Sequence, residues 1–366
     1  MKPLKIVTAF FTVVTLLLLT VGRPCPAGEM IRITDMAGRP VSVPKDPARV
    51  IGLGPGTLRL LIYLESKNKV VGVEDIEKHF PTTRPYWMAN SDLGRLPSLG
   101  PGGPSAINSD PDLEKILALK PEVIFLTYLD REKAEALQKK IGIPIVVLTY
   151  GPFGSFDEKL FDSLRLCGKI LGKQDRAEAV IRFIEKTRKD LLKRVEKSPD
   201  DRKPLVYAGG IGFRGTHGLE STETTYAPFE WIKANPAVKQ EGSQGHLFVD
   251  KEKLLFWNPE IIFIDSGGSD LIRQDYEKKP AFYQGLKAFR NRKVYTLHAF
   301  NWYLTNIETV LIDAYAVGKI LYPKEFKDVQ LEKKSDAIYS FLLGRPIFKE
   351  MEKHHGRLGG IPSFLK

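Results

Sequence analysis

Two kinds of run alternate along the chain, short apolar stretches and longer polar stretches that carry one apolar stripe. Apolar runs at 48–54, 123–126 and 143–150 predict buried strands, and the stretches between them predict amphipathic helices. The same alternation starts again after residue 203 with PLVYAGG, IIFI and RKVYTLHAF. Strands that alternate with helices are typical of βαβ units, so we expect mainly parallel sheets.

One long helical stretch separates the two alternating series. Its apolar residues recur at steps of three and four, as in Ala177, Val180, Ile181, Ile184, Leu191 and Val195. Gly168 and Gly172 are candidate points of interruption in its first part. The pattern predicts an N-terminal α/β lobe over 28–156, a connecting helix over 157–198 and a C-terminal α/β lobe with closing helices over 199–366.

A fourteen-residue segment is written twice. DLEKILALKPEVIF at 112–125 returns as DKEKLLFWNPEIIF at 250–263, with eight identities and no gap. Each copy opens with Asp, a good helix N-cap, and keeps a glutamate at the third place, Glu114 and Glu252. The simplest role for these glutamates is to complement the helix dipole, worth ~0.3–1 kcal/mol. Because the repeat falls once in each predicted lobe, we expect two copies of one architecture with a cleft between them.

The first residues have the features of a secretory signal. Two lysines precede an apolar run at 6–21, which is short for a membrane span, and small residues follow it. Cleavage after Ala27 would leave 339 of the 366 residues, a length that suits two domains better than one. We therefore expect an exported, soluble, periplasmic protein. Lipidation at Cys25 stays open as an alternative, although Gly-Arg-Pro before it is a poor lipobox.

Charge and cysteine content narrow the class of partner. Removal of the signal lowers the net charge from +11 to +8 and leaves Cys167 without a disulfide partner in the chain. The lysines are interleaved with acids, as on solvated helix faces, and an exported protein rarely meets nucleic acid. A modest attraction for anionic ligands is what the charge supports.

With these elements in place, the chain resembles the periplasmic substrate-binding proteins of ABC importers for iron-siderophore, haem and cobalamin. The resemblance covers nearly all of the mature chain. Its most recognisable parts are ITDMAGRPVSVPKDPARVIGL, LEKILALKPEVIF and NWYLTNIETVLIDAYAVGKILYP, the last being similar to the late helix of the iron-complex branch. The resemblance implies the class III fold, in which one rigid helix joins two lobes, and only small closure on binding.

The resemblance also gives the repeated glutamates a role. In relatives, the residues at the positions of Glu114 and Glu252 lie on the upper surface of each lobe and dock onto arginines of the two permease subunits. Charge-assisted Glu–Arg pairs fix register and raise the encounter rate more than they add affinity. The implied partner is a permease dimer with its ATPase subunits, and the implied state of this protein is a monomer.

Ligand contacts are expected in the loops that follow the carboxyl ends of the strands. The resemblance, with His217 added from the same loop as Arg214, implies contacts from Tyr128, Phe213, Arg214, His217, His246, Phe248, Trp302 and Tyr303. Arg214 is the sharpest candidate because a guanidinium offers several donors to a carboxylate or catecholate. The alternative for Arg214 is a surface ion pair with Glu220 or Glu223. For the aromatic residues it is lobe packing, and for the histidines a structural or solvated role.

Other motifs favour a binding module over the alternative of an exported metal-chelate enzyme. GIGFRG at 210–215 matches a dinucleotide pattern, but no helix opening follows it. The six histidines include no HxH or HxxxH pair, so we expect no intrinsic metal site or cofactor. A ferric siderophore or related chelate is the expected ligand, with cobalamin second and haem third. Relatives that bind cobalamin place tryptophan where this chain has Gly-Pro-Gly-Gly at 100–103.

Overall fold

The computed structural model describes residues 29–103, 111–152, 156, 158–198, 203–239 and 245–366. The predicted signal segment and Cys25 lie outside the described residues. None of the helices within these ranges combines the length and the apolar character that a bilayer crossing requires.

Eleven strands are present in the described part of the chain. They are β1 (Met30–Thr34), β2 (Pro40–Pro44), β3 (Val50–Leu53), β4 (Val123–Thr127), β5 (Ile145–Leu148), β6 (Leu205–Gly209), β7 (Ser221–Glu223), β8 (Asn235–Pro236), β9 (His246–Phe248), β10 (Ile261–Asp265) and β11 (Val294–Leu297).

Fifteen α-helices accompany them in the same residues. They are α1 (Thr57–Tyr63), α2 (Asp75–Lys78), α3 (Pro85–Ala89), α4 (Leu113–Ala118), α5 (Arg131–Ile141), α6 (Glu158–Leu171), α7 (Gln174–Arg194), α8 (Ala227–Glu230), α9 (Lys251–Trp257), α10 (Ser269–Lys278), α11 (Pro280–Gly285), α12 (Lys287–Arg290), α13 (Ile307–Leu321), α14 (Leu331–Leu343) and α15 (Phe348–His355).

Each lobe is built on a parallel sheet. The N-terminal sheet has the order β3-β4-β5, and the C-terminal sheet has the order β11-β10-β6-β8. The hairpins β1-β2 and β7-β9 are antiparallel. Nearly all residues of β3, β4, β5 and β10 are buried, as expected for strands whose two faces are both covered by helices. The predicted fold class, two α/β lobes with parallel sheets, is confirmed.

The segment 157–198 holds two helices rather than one. The break comes at Gly172, whose φ of +68° ends α6 and turns the chain into α7. Gly168 does not interrupt α6. A Cβ at Gly168 would lie 2.8 Å from the Cβ of Ala177, so this glycine allows α6 and α7 to pack closely. The spanning element is therefore α7 alone, with 21 residues and a length of about 30 Å.

Helix α7 contacts both lobes. Near its start, Nε of Arg176 donates to the carbonyl of Tyr63 on α1 at 2.8 Å. Near its end, Tyr315 of α13 donates to Asp190 at 2.6 Å, and Arg194 pairs with Asp328 at 2.7 Å.

Helix α14, which the sequence assigned to the C-terminal lobe, returns to the N-terminal lobe. It packs against α1 and α3. Ile338, Tyr339 and Leu342 of α14 are fully buried, in an apolar core that runs without a break through both lobes. A shared core of this kind restricts the movement of one lobe against the other.

Candidate functional site

A cavity of about 890 Å³ lies between the two lobes. Its walls are the loops that follow the carboxyl ends of β3, β4, β6 and β11, together with one face of α5 and the segments 74–80 and 99–103. Open α/β sheets place their ligand sites at this edge, because the strand ends present loops there instead of covering helices. The expected cleft is therefore present.

Five of the eight residues predicted to contact ligand line this cavity. They are Tyr128, Phe213, Arg214, Trp302 and Tyr303. Tyr128 directly follows β4, and the other four come from the loops after β6 and β11 of the second lobe. Since both lobes supply aromatic walls, a flat or bulky ligand could contact both at once.

The backbone is unusual where these residues sit. Eleven non-glycine residues among those described have positive φ, and five of the eleven line the cavity: Phe80, Tyr128, Arg214, Tyr303 and Leu304. A left-handed conformation costs a side-chain-bearing residue roughly 1–2 kcal/mol. Such conformations persist where the surrounding structure holds them, and they concentrate at ligand sites. The surrounding structure thus holds the loops of this cavity in conformations that direct their side chains.

The remaining three predicted residues form a layer behind Phe213. The ring of His246 stacks on Phe213 with centroids 4.2 Å apart and an angle of 9°, and His217 and Phe248 meet edge to face at 4.8 Å. Ser221 Oγ lies 2.7 Å from Nε2 of His246. Burial, with the nearby His217, lowers the pKa of His246 to about 4, so its ring is neutral at pH 7. In this placement the histidines support Phe213 and do not line the described cavity.

Three basic side chains line the cavity. Arg214 is exposed, with its guanidinium carbon 5.4 Å from the centre of the Phe213 ring, and no carboxylate of the described residues pairs with it. The alternative of a surface ion pair with Glu220 or Glu223 is therefore not seen. Lys133 and Lys140 add two ammonium groups from α5, a helix that no sequence motif singled out. Lys133 also pairs with Asp130 at 3.2 Å.

Arg59 fixes the loop that carries Trp302. Its guanidinium is fully buried on α1 and crosses to the second lobe, where it donates to Asn306 Oδ1 at 2.7 Å and to the Leu304 carbonyl at 3.2 Å. It also stacks over the ring of Tyr86 at 4.8 Å. Arg59 lies inside TLRLLIYL, where a helical pattern alone does not reveal that one arginine points inward.

Glu74 is the one acidic side chain among the described residues that line the cavity. Its Oε2 accepts the Gly54 N–H at 3.0 Å and the Tyr303 hydroxyl at 2.7 Å. The Tyr303 oxygen in turn accepts the Gly103 N–H at 3.2 Å, so a chain of hydrogen bonds crosses from one lobe to the other. Gly54 approaches closely enough because it is glycine: φ is +79°, and a Cβ would lie 2.9 Å from Thr127 Oγ1. No sequence motif singled out Glu74 as a cavity residue.

The repeated segments have the same local structure in both lobes. Asp112 caps α4 by accepting the Lys115 N–H at 3.2 Å, and Asp250 caps α9 by accepting the Lys253 N–H at 2.6 Å. Each helix is followed at once by a central strand, β4 or β10, so it runs back across the sheet. Its first turn then lies at the sheet edge where the strands end. Glu114 and Glu252 sit in these first turns, and both are exposed.

Large apolar side chains are exposed on the same two helices. Leu117 is 46% exposed, and its counterpart Leu255 is 38% exposed. One position further, the second copy has Phe256 at 86% exposure where the first has Ala118. These side chains stand three and four places after Glu114 and Glu252, on the same helix face. Exposed apolar groups next to a charge are typical of contact surfaces.

The family model for periplasmic binding proteins matches residues 53–299, which is most of the chain. The chain belongs to the periplasmic binding protein family. The resemblance drawn from the sequence is thereby confirmed, and the protein is a substrate-binding protein of an ABC transporter. The family and the relatives below are transport proteins, not enzymes.

Three proteins illustrate the relationship. The molybdate-binding protein MolA of Haemophilus influenzae is 24% identical over 331 residues, covering 84% of this chain and 89% of MolA. Its molybdate-bound structure superimposes with a TM-score of 0.69 at 21% identity, over 86% of this chain and 98% of the other.

The other two relatives are a solved structure and a sequence relative. A periplasmic solute-binding protein from Veillonella parvula has a TM-score of 0.70 at 21% identity, covering 89% of this chain and 97% of the other. An iron-uptake system-binding protein of Bacillus subtilis is 26% identical over 200 residues, covering 52% of this chain and 60% of the other.

Proposed function

We propose that this binding protein captures an anionic metal chelate of the ferric siderophore class in the cavity between its lobes. The supporting observation is the cavity itself, with a volume of about 890 Å³, aromatic walls and three basic side chains. Volumes of ~300–1,000 Å³ suit ligands of drug size. An organic chelate would fill this space and would present carboxylate or catecholate oxygens to Arg214, Lys133 and Lys140.

The oxyanion molybdate is the second candidate, because the relative MolA covers most of this chain and is named for binding it. The basic residues suit any oxyanion, whereas the size of the cavity favours the larger ligand. Cobalamin and haem remain further alternatives in the same cavity.

A fluorescence titration tests the ligand. Trp302 lines the cavity, so a bound iron chelate should quench its emission. A ferric triscatecholate, a ferric hydroxamate, molybdate, cobalamin and haem would each be added to the exported protein, with Trp302→Phe as the control that identifies the responding residue. Saturable quenching by a ferric chelate at micromolar concentration or below supports the proposal. Binding of molybdate in preference to every iron chelate refutes the chelate assignment.

We further propose that Glu114 and Glu252 dock the loaded protein onto the two subunits of a permease. Their matched places on α4 and α9, their exposure and the apolar side chains beside them support this role. A permease with near two-fold symmetry needs one acidic contact on each lobe, and the repeat provides such a pair.

Transport measurements separate docking from ligand binding. Glu114→Ala combined with Glu252→Ala should abolish uptake in reconstituted transporter vesicles while ligand affinity stays within about twofold. Glu135→Ala on α5 is the matched control, because Glu135 is another exposed helical glutamate. Wild-type uptake by the double variant would refute the docking role.

A further inference from the structure

Glu74 is an acidic residue in a cavity whose other charged side chains are basic. Lys133, Lys140 and Arg214 all line the same space, and an ionised Glu74 would repel the ligand that they attract. Glu74 itself is only 8% exposed. Its carboxylate therefore needs a function that its charge alone does not provide.

The hydrogen bonds of Glu74 determine which oxygen is left for a ligand. Both donors, Gly54 N–H and the Tyr303 hydroxyl, are bonded to Oε2. The Tyr303 oxygen accepts Gly103 N–H, so the single hydroxyl proton of Tyr303 is directed at Glu74. Oε1 has no hydrogen-bond partner among the described residues. It is the oxygen on which Glu74 can carry a proton.

Burial is the main cause that favours a proton on Glu74. Burial raises the pKa of Glu74 to about 7, the Tyr303 hydrogen bond opposes this, and the nearby Glu77 of α2 adds to it. The basic groups that share the cavity are Lys133 and Lys140 from α5 and Arg214 from the loop after β6. Near neutral pH the free protein is thus a mixture of the neutral acid and the carboxylate.

We propose that Glu74 binds the ligand as the neutral acid, donating a hydrogen bond from Oε1 to an anionic oxygen of the ligand. This inference rests on the proposed function and adds a requirement to it. The ligand has an anionic oxygen at the Glu74 end of the cavity, and the protein takes up one proton from solvent as it binds. The proton stays on Glu74, and no bond of the ligand is made or broken. Two negative oxygens held together would instead repel, as in any close carboxylate pair.

The test is the pH dependence of affinity between pH 6.5 and 9, with a ferric triscatecholate and molybdate as probes. Affinity of the wild type for the probe that binds should fall about tenfold for each pH unit above 7, on the order of 50-fold or more across the range. Calorimetry at pH 8.5 in two buffers of different ionisation enthalpy should show uptake of about one proton, because nearly all of Glu74 is ionised in the free protein at that pH.

Two variants separate Glu74 from protons on the ligand. Glu74→Gln keeps an acceptor for Gly54 and Tyr303 and always donates N–H, so its affinity should match the low-pH wild type and lose the pH dependence above 7. Tyr303→Phe removes the hydrogen bond that opposes the raised pKa, so the pH midpoint should move upward.

Each failure has a distinct meaning. Binding that does not change with pH, or pH dependence that persists in Glu74→Gln, overturns this inference and leaves the proposed function standing. If molybdate alone binds, the chelate assignment is overturned and the pH dependence of molybdate affinity still tests Glu74. If neither anion binds the wild type at any pH, the proposed function is overturned and this inference with it.

Discussion

The Arg59 guanidinium holds the second lobe's cavity loop from the first lobe, and its removal should affect both stability and binding. It donates to Asn306 Oδ1 at 2.7 Å and to the carbonyls of Leu304 and Trp302 at 3.2 Å and 3.4 Å. Arg59→Met keeps an unbranched apolar stem of similar length and deletes these donors. The variant therefore leaves Asn306 Oδ1 and the Trp302 carbonyl without a donor from the described residues, whereas the Leu304 carbonyl keeps the N–H of Trp302 at 3.3 Å.

The expected loss of stability follows from the burial of Arg59 and its partners. Arg59 and Asn306 are both 0% exposed, so water cannot replace the lost hydrogen bonds without opening the junction. Burial also raises the pKa of Glu308, and the charge of Arg59 opposes that shift, so Arg59→Met removes a stabilising charge from a buried acid. Removing one partner of a buried charged network typically costs ~3–5 kcal/mol. We expect a loss of about that size from the free energy of unfolding.

Urea unfolding followed by circular dichroism measures the stability, and the fluorescence titration measures affinity for the ligand. Affinity should fall about tenfold, because the Trp302 loop loses its anchor. Arg176→Met is the matched control. Arg176 also joins two elements but is only partly buried and lies outside the cavity wall, so it should cost about 1 kcal/mol without changing affinity. A loss below about 1 kcal/mol for Arg59→Met, with unchanged affinity, would show that the junction does not depend on this guanidinium.

Three further predictions concern Glu223, Gly56 and Arg214. Burial raises the pKa of Glu223 to about 9. With an unfolded pKa near 4.5, stability is fully present below pH 4.5 and is lost progressively as the pH rises from 4.5 to 9, because only the unfolded state releases the proton in that range. Glu223→Gln should therefore gain about 2–4 kcal/mol in urea unfolding at pH 8 and almost nothing at pH 4, and an equal effect at both would contradict this. Gly56→Ala should lower the free energy of unfolding by about 2–4 kcal/mol in the same measurement, because φ is +76° and the new Cβ would lie 2.8 Å from the Tyr150 hydroxyl. The control Gly142→Ala has a similar φ of +69° but open space around the new Cβ, so it should cost about 1 kcal/mol. Arg214→Ala should weaken binding of an anionic chelate about tenfold and reduce the salt dependence of that binding, without changing the stability of the protein. A salt dependence equal to that of the wild type would exclude a direct charge contact between Arg214 and the chelate.

The architecture of this protein could be predicted from its sequence pattern. Apolar runs of strand length, amphipathic helices between them and the repeated DxEK segment predict two α/β lobes, because local periodicity controls which face of each element is buried. The caps at Asp112 and Asp250 were readable for the same reason, since capping depends on a few neighbouring residues. Loops after strand ends were located well enough to include Tyr128, Arg214 and Tyr303.

The polar side chains that enter the cavity could be identified only from the packing of the two lobes. Glu74 follows a strand-like run and Arg59 lies within an ordinary helix, and their partners Tyr303 and Asn306 are more than 200 positions away. His246, by contrast, was a predicted ligand contact, and yet its ring packs behind Phe213. The periodicity of a sequence indicates which of its residues are buried. It does not identify the residue that a buried side chain contacts across the lobe junction, because that contact depends on how the two sheets, α7 and the returning α14 pack together.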